Sequence, residues 1–311
     1  MIRALHSTDL FRLFFSGIRK LPNQAKSRNR IGRSNLSLLD LYLKRPWPSV
    51  NGHRQTWVQT RGLRVKGLAS ARRRSGPAVW EIDYLLLSPD ILHEEMDLLH
   101  SLVLGAGRCG VDRVFLRLGS DSRLLDAVRS AGFYFYMQEY LYRLDRSDGG
   151  FGPGTRPSDS AVYPRSPANE YGVFQLYNSS YPLHVREAEG QTLEEWRQAQ
   201  ERGWGKRGGK EYVLLRDDSV AGWARVAGRR KNGYMDLMVG PEAADLNGLL
   251  DAAAVKLRRC STLWCIASEF QMPLRRVLEE RGFQMVEEYT TAVRHVTAKV
   301  KRPSLVPVGV K

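Results

Sequence analysis

Apolar and polar positions run through the same succession twice along this chain. In the first half, Thr56 to Thr60 and Val65 to Arg73 carry the β-branched and aromatic content of strands, and Val79-Trp-Glu-Ile-Asp-Tyr-Leu-Leu-Leu-Ser-Pro89 reads as a longer strand. In the second half, Glu211 to Leu215, Ser219 to Arg229 and Gly233-Tyr-Met-Asp-Leu-Met-Val-Gly-Pro241 repeat the pattern, and Arg216-Asp-Asp-Ser219 has hairpin chemistry. A helix is predicted after each proline. Glu94 to Leu104 places Met96, Leu98, Leu99, Leu102 and Val103 on one face, and Asp245 to Leu257 does the same with Leu246, Leu249, Leu250, Ala253, Ala254 and Leu257. A short buried strand follows in each half (Arg113 to Leu118, Thr262 to Ala267), then a second helix (Ser122 to Ser130, Pro273 to Glu280). Each of these helices stops at Gly-Phe, and a closing strand runs Tyr134 to Leu144 or Met285 to Val296.

Pro241 lies 152 residues after Pro89, and Gly282 lies 150 after Gly132. Matching order at matching spacing predicts two tandem α/β modules, each a mixed, mostly antiparallel sheet flanked by helices. The stretch from Asp145 to Ala168 is dense in Gly, Pro, Ser and Asp and reads as a linker. The expected organisation is therefore an N-terminal module over 1–145, a linker over 146–169, a C-terminal module over 170–297, and a basic tail over 298–311 for which disorder is expected.

The 311 residues are 42% hydrophobic and 26% charged, the balance of an ordinary folded chain. The longest apolar runs, Tyr84 to Leu87 and Leu249 to Val255, fall far short of the roughly 20 residues of a membrane-spanning helix. No secretory signal is recognisable at the N-terminus, and three cysteines without CxxC spacing give neither a disulfide framework nor a zinc site, so a reducing cytoplasm is expected. The six histidines are scattered, and no metal site is expected. The net charge of +15 is gathered at Arg19 to Arg33, Arg72 to Arg74, Lys206 to Lys210, Arg229 to Lys231 and Lys299 to Arg302. Such clusters concentrate anionic partners, whether nucleic acid, acidic headgroups or a phosphorylated cofactor; they serve equally as a solubilising surface.

The strand endings Leu-Leu-Ser-Pro89 and Met-Val-Gly-Pro241, each followed by a helix and later by Ala131-Gly-Phe133 or Arg281-Gly-Phe283, resemble the GNAT acyltransferase superfamily over nearly the whole chain. The resemblance implies that the strand before each proline splays from its neighbour. Its free backbone groups then receive the pantetheine arm of acetyl-CoA, and the next helix N-terminus holds the pyrophosphate. The pantetheine-facing residues would be Leu86 to Ser88 and Leu237, Met238, Val239 and Gly240, with Asn247 and Gly248 at the second pyrophosphate cradle. The chain also departs from the pattern. Asp90-Ile-Leu-His-Glu-Glu-Met96 lacks glycine and would repel a pyrophosphate, whereas Glu242-Ala-Ala-Asp-Leu-Asn-Gly248 keeps one glycine. Val128 and Leu278 stand where the family often has a tyrosine acid, and Asp121 and Gln271 where it has asparagine.

Acyl transfer to an amine needs a base and a proton donor for the thiolate. Asp236 is the leading base candidate. Glu81 and Asp83 share one strand face, where a solvated surface or an arginine partner is the commoner role. Ser268, Glu269 and Gln271 sit just past a strand end, where function concentrates. Tyr140, Tyr234 and Tyr289 could donate protons, though strand aromatics usually pack. Cys265 reads as a small buried hydrophobe. The basic stretch Ile18 to Arg33 suggests an anionic ligand over the first module, or a solvated helix-loop-helix.

The sequence thus points to a GNAT-type N-acyltransferase using acetyl-CoA and an unidentified amine acceptor, with the C-terminal module the active one, Asp236, Glu269 and Tyr289 catalytic, and the first module a degenerate copy. Two alternatives stand beside it: a non-catalytic GNAT-fold protein that binds RNA, DNA or a ribosomal surface, and an aminoacyl-tRNA-dependent transferase.

Overall fold

The computed structural model describes residues 1–6, 9–15, 17–31, 54–62, 64–89, 95–146, 162–201, 209–240 and 246–296. Most of the expected linker, the loops 90–94 and 241–245 after the two strands (Pro241 included), residues 206–208 and the basic tail lie outside the described residues.

Twelve strands form one continuous sheet. They are β1 (Ile2–Ala4), β2 (Arg54–Arg61), β3 (Arg64–Arg73), β4 (Val79–Leu87), β5 (Arg113–Gly119), β6 (Tyr134–Asp145), β7 (Val162–Pro164), β8 (Lys210–Arg216), β9 (Ser219–Arg229), β10 (Asn232–Val239), β11 (Thr262–Ser268) and β12 (Gln284–His295). Their order is β1-β2-β3-β4-β5-β12-β6-β11-β10-β9-β8-β7. Among the described residues only β4–β5 and β10–β11 pair in parallel, in keeping with a mixed, mostly antiparallel sheet. The closing strands are exchanged. β6, from the first half, pairs with β11 of the second, β12 pairs back onto β5 of the first, and the two lie side by side at the centre. Each half therefore supplies the strand that completes the other half's sheet.

Helices cover the sheet where their apolar stripes predict. Helix α1 (Asp9–Phe15) packs on β3, and α2 (Glu95–Arg108) buries Leu98, Leu99, Leu102, Val103 and Ala106 over the first-half strands. The segment Ser122 to Ser130 is helical only from α3 (Leu125–Ser130). Three helices that periodicity had not resolved, α4 (Glu170–Ser180), α5 (Leu183–Glu189) and α6 (Leu193–Ala199), precede β8. Helix α6 opens with a reciprocal cap between Thr192 and Glu195, which satisfies otherwise orphaned backbone amides. Helix α7 (Leu246–Lys256) buries Leu246, Leu249, Leu250, Ala253 and Ala254 in the second core, and α8 (Met272–Glu280) adds Leu274 and Leu278. Each fully buried leucine of these stripes contributes about 1.5–3 kcal/mol by leaving water. Gly132 and Gly282 both adopt left-handed φ, 80° and 82°, which is why glycine ends both copies of that helix. None of the described helices is long and apolar enough to cross a membrane.

A shared core, with Val79, Phe115, Tyr136 and Met137 on one side and Val185, Ala188 and Ala199 on the other, joins the halves. The strand exchange has a direct consequence for dissection. A fragment ending at residue 146 would leave β5 without β12 and β6 without β11, exposing two long edges. Expressed alone, it should fail to give a monomer that unfolds cooperatively, as read by size-exclusion chromatography and circular dichroism. A monomeric, cooperatively unfolding fragment would contradict the exchange.

Candidate functional site: two strand openings and an ion-paired cleft

In each half the parallel pair separates after a few rungs. β4 and β5 pair only from Val79↔Arg113 to Glu81↔Phe115, and β10 and β11 only from Asn232↔Thr262 to Asp236↔Ile266. Beyond those rungs one backbone edge of each central strand faces an opening. What fills the opening differs between the halves.

In the first half the chain fills it with itself. Gln24 N donates to Leu85 O at 2.9 Å and Lys26 N to Arg117 O at 2.8 Å, so residues 23–26 bridge β4 and β5 like an inserted strand. The Asn23 carboxamide completes the bridge: Nδ2 donates to Asp83 O at 2.9 Å and Oδ1 accepts from Leu85 N at 2.8 Å. Ala25 is buried in the first core. Within the basic stretch Ile18 to Arg33, residues 23–26 are thus an inserted strand rather than part of a solvated helix-loop-helix. The free backbone groups of β4 and β5 are better satisfied by a peptide than by water. Leu86, expected to face a pantetheine arm at the first strand end, packs instead with Leu13 and Ile18.

In the second half the opening is held by side chains. Gln271 spans it: Nε2 donates to Leu237 O at 3.0 Å, while Oε1 accepts from Ser268 N at 2.9 Å. Ser180 Oγ donates to Val239 O at 2.9 Å, and Gly240 N donates to Ala221 O of the neighbouring strand. These contacts occupy two strand carbonyls through rotatable groups that an incoming amide can replace. At the start of α7, Arg281 holds Asn247 Oδ1 (3.0 and 3.2 Å) and Asp251, which puts a cation beside the helix N-terminus. Gly248 lies one residue further on, partly buried. The second opening is thus closed at two strand carbonyls by side chains, and the first by the chain's own backbone.

Past residue 26 the same N-terminal segment crosses to the second half and delivers Arg28. Its Nη1 donates to Asp236 Oδ1 at 2.5 Å, its Nη2 to Glu139 Oε1 at 2.9 Å, and its Nε lies 3.2 Å from Glu201 Oε2. Arg117 duplicates the arrangement from below, with Nε on Glu139 and Nη2 on Glu201, both at 2.5 Å, and Arg74 adds a contact to Glu201 at 3.3 Å. Tyr234 Oη donates to Ile31 O at 3.0 Å and anchors the end of the segment.

A cleft of about 750 Å³, partly open to solvent, lies over this network. Arg28, Glu189, Glu201, Asp236, Tyr181 and Gln271 are among its walls, with Leu237, Met238 and Ser268. Asp236, the last residue of β10 paired with β11, is 5% exposed, and its Oδ2 is buried without a hydrogen-bond partner. Burial raises its pKa above the ordinary carboxylate value, against the opposing pull of Arg28 and Arg225. Burial likewise raises Glu189, whose Oε1 accepts from Tyr136 Oη at 3.1 Å. Glu201 goes the other way: burial disfavours its charge, but Arg117, Arg28 and Arg74 together hold it well below the usual range. Burial also raises the Tyr181 phenol, whose ring packs tilted against Tyr177 and edge-on against Phe270.

Of the residues expected from sequence, the structure brings Asp236, Leu237, Met238, Ser268 and Gln271 together. Glu269 lies outside the cleft walls: its carboxylate accepts from Gln138 N at 3.3 Å. Tyr289 is 3% exposed, packs with Ile31, Leu141, Tyr234 and Ile266, and donates to Glu287 Oε2 at 2.8 Å. Val239, Gly240, Asn247 and Gly248 follow along the strand end and helix start rather than in the cleft. Glu81 and Asp83 are tied to Arg72 and Arg54, and the buried Cys265 thiol is pushed up by desolvation. Sequence reasoning missed Arg28, Glu139, Glu189, Glu201 and Tyr181. The one signal for them was Gln138-Glu139, a polar pair inside the otherwise apolar closing strand. Among the described residues no three His, Cys, Asp or Glu side chains gather in a way that could hold a metal ion.

The fold is similar to that of tandem GNAT proteins. A tandem GNAT protein from the clavulanic acid biosynthesis pathway superposes with a TM-score of 0.55 at 12% identity, over 96% of this chain and 99% of that one. A GCN5-related N-acetyltransferase from Sphaerobacter thermophilus gives 0.57 at 14% identity, over 95% of both chains. A putative acetyltransferase from Pyrococcus horikoshii gives 0.52 at 13% identity, over 96% and 90%. No family profile and no curated protein sequence matches the chain.

Two stability predictions follow from the network. Removing one partner of a buried ion pair costs about 3–5 kcal/mol because the other charge is stranded. Arg28→Ala should therefore lower denaturant stability by that order, and a loss below about 1 kcal/mol would show that Arg28 is not seated on its three carboxylates. In the unfolded chain Glu201 titrates near 4.5, and in the folded chain lower, so its contribution is complete above that value and lost as pH falls toward the folded one. Glu201→Gln should be less stable at neutral pH yet lose less on acidification below pH 4.5; parallel melting curves would contradict the linkage.

Proposed function

We propose that the chain is an acyl-CoA-dependent N-acyltransferase that works at the second strand opening on a cationic amine. The observation that carries the reading is Asp236. It is a buried carboxylate at the last rung before the strands part, one oxygen held by Arg28 and the other unpartnered in the cleft wall. A base needs an oxygen free to take a proton and a pKa raised toward neutrality, and Asp236 has both.

Bound acetyl-CoA would supply the acetyl thioester, with its arm along Leu237 and Val239 in place of the Gln271 and Ser180 side chains and its phosphates toward α7, Asn247 and Gly248. The amine enters beside Glu189 and Glu201. Asp236 Oδ2 takes a proton from its ammonium form so that the nitrogen lone pair becomes available. Tyr181 Oη keeps its proton across the neutral range and is placed in the same cleft as a donor for a leaving sulfur. Arg28 fixes the Asp236 carboxylate, so the first half contributes a positioning residue to the second half's site. Glu269 and Tyr289 act on this reading through the strands they tie rather than through the reacting groups. The first half, whose opening holds its own residues 23–26, is structural. That self-filled opening is also what a purely binding, non-catalytic protein would show; turnover separates the two.

The test is thiol release from acetyl-CoA across a panel of polyamines, aminoglycosides and lysine-like amines. Positioned proton transfer contributes about 10²–10⁴ in rate. Asp236→Asn should lower kcat by at least about 100-fold while acetyl-CoA affinity changes little, and kcat/KM of the parent should rise with pH as Asp236 ionises. Unchanged turnover in Asp236→Asn would remove it as the base, and absence of turnover with every amine would favour the binding protein.

A further inference from the structure

At the far end of the second module, away from the strand opening, the β9–β10 turn and the segment after α7 face each other across a groove. The turn carries Arg229, Arg230 and Lys231, and the facing wall carries Lys256, Arg258 and Arg259; all six are exposed. The groove, lined by Arg230 on one side and Lys256, Arg258 and Arg259 on the other, encloses about 1060 Å³ including open solvent, and no carboxylate lines it. Among the described residues none of the six forms a salt bridge; the contact recorded for Lys256 is with the face of Tyr212, at 5.1 Å from Nζ to the ring centroid.

A helix C-terminus attracts cations, which would be an ordinary reason for basic residues after α7. That need is already met from elsewhere. Arg146 donates to the carbonyls of Ala254 and Leu257 at 2.9 Å and of Cys260 at 3.3 Å, closing the helix end from the other side. The six exposed cations are not required for it. Arg230 moreover occupies a left-handed turn position (φ 55°), where glycine or asparagine is favoured, so a cation stands at a site that local geometry would give to a smaller residue.

We infer that this groove is a binding site for the phosphodiester backbone of a nucleic acid, separate from the acyl-transfer cleft. Four exposed cations on two walls, Arg230 facing Lys256, Arg258 and Arg259, with Arg229 and Lys231 beside them, match a chain of regularly spaced phosphates. A lipid surface is met differently, by a flat face with large apolar or aromatic side chains at the interface, whereas this groove is concave and its lining is basic and aliphatic. Phosphate contacts of this kind release counterions, so affinity falls steeply with salt.

The experiment is fluorescence anisotropy with a labelled 20-nucleotide RNA across a salt series, using the full chain freed of co-purified nucleic acid. Three proteins are compared: the parent, Arg230→Glu/Arg258→Glu/Arg259→Glu, and a control with the same change in net charge on exposed first-half arginines, Arg61→Glu/Arg64→Glu/Arg108→Glu. The groove variant should bind at least about tenfold more weakly with a shallower salt slope, and the control should stay within about twofold, as expected when phosphate contacts are local. The corresponding Arg→Gln triple keeps the test open if the glutamate variant misfolds. Equal losses in both triples, no binding by the parent at low salt, or tighter binding to anionic phospholipid vesicles than to RNA would each overturn the assignment. None of these readings depends on acyl transfer.

Discussion

The guanidinium of Arg28 is the point on which the two halves depend. It leaves the first half on a segment that has just filled that half's strand opening, and it ends on three carboxylates contributed by β6, β10 and the stretch after α6. Placing Glu139, Glu201 and Asp236 together away from water is tolerable only with cations among them, because an unpaired buried charge costs several kcal/mol. Arg28, Arg117 and Arg74 supply that compensation, and all three come from the first half. The first module is thus needed as the source of counter-charges and of one strand of the second sheet.

The strand exchange and the ion network reinforce one another. β6 carries Glu139 into the second sheet, directly opposite Ser268 on one side and Tyr289 on the other. Had each half kept its own closing strand, Glu139 would face β5 of its own module and the second cleft would lack that carboxylate. The same exchange seats Gln138 against Glu269 and gives that acid its backbone partner. A tandem protein built this way can have one opening closed by its own backbone while the other is closed only by side chains.

Much of the fold was legible in the sequence because it rests on local rules. The two runs ending at Ser88-Pro89 and Gly240-Pro241, the amphipathic stripes of α2 and α7, and the helix-stopping Gly132 and Gly282 all follow from periodicity and backbone freedom. Asp236 was legible too, as a lone acid between Met235 and Leu237. The exchange of β6 and β12 was not, because both closing strands fit either sheet equally well by pattern. Arg28 was hidden among five other basic residues of its stretch, with no local sign that it alone meets acids from three distant segments. Glu201 sits outside any helix or strand, where periodicity carries no information. Glu269 and Tyr289 stood out by type and place, but their partners, a backbone amide and Glu287, are visible only in three dimensions.

The asymmetry between the openings, one filled by backbone and the other by side chains, is the claim on which the rest stands. It is tested most directly by calorimetric titration of the full chain with acetyl-CoA at moderate salt. One equivalent bound per chain, abolished by blocking the second opening with Leu237→Pro and retained when Asn23→Ala loosens the first, is the result the account predicts. Two equivalents in the parent chain, or binding that survives Leu237→Pro in a folded protein, would contradict it.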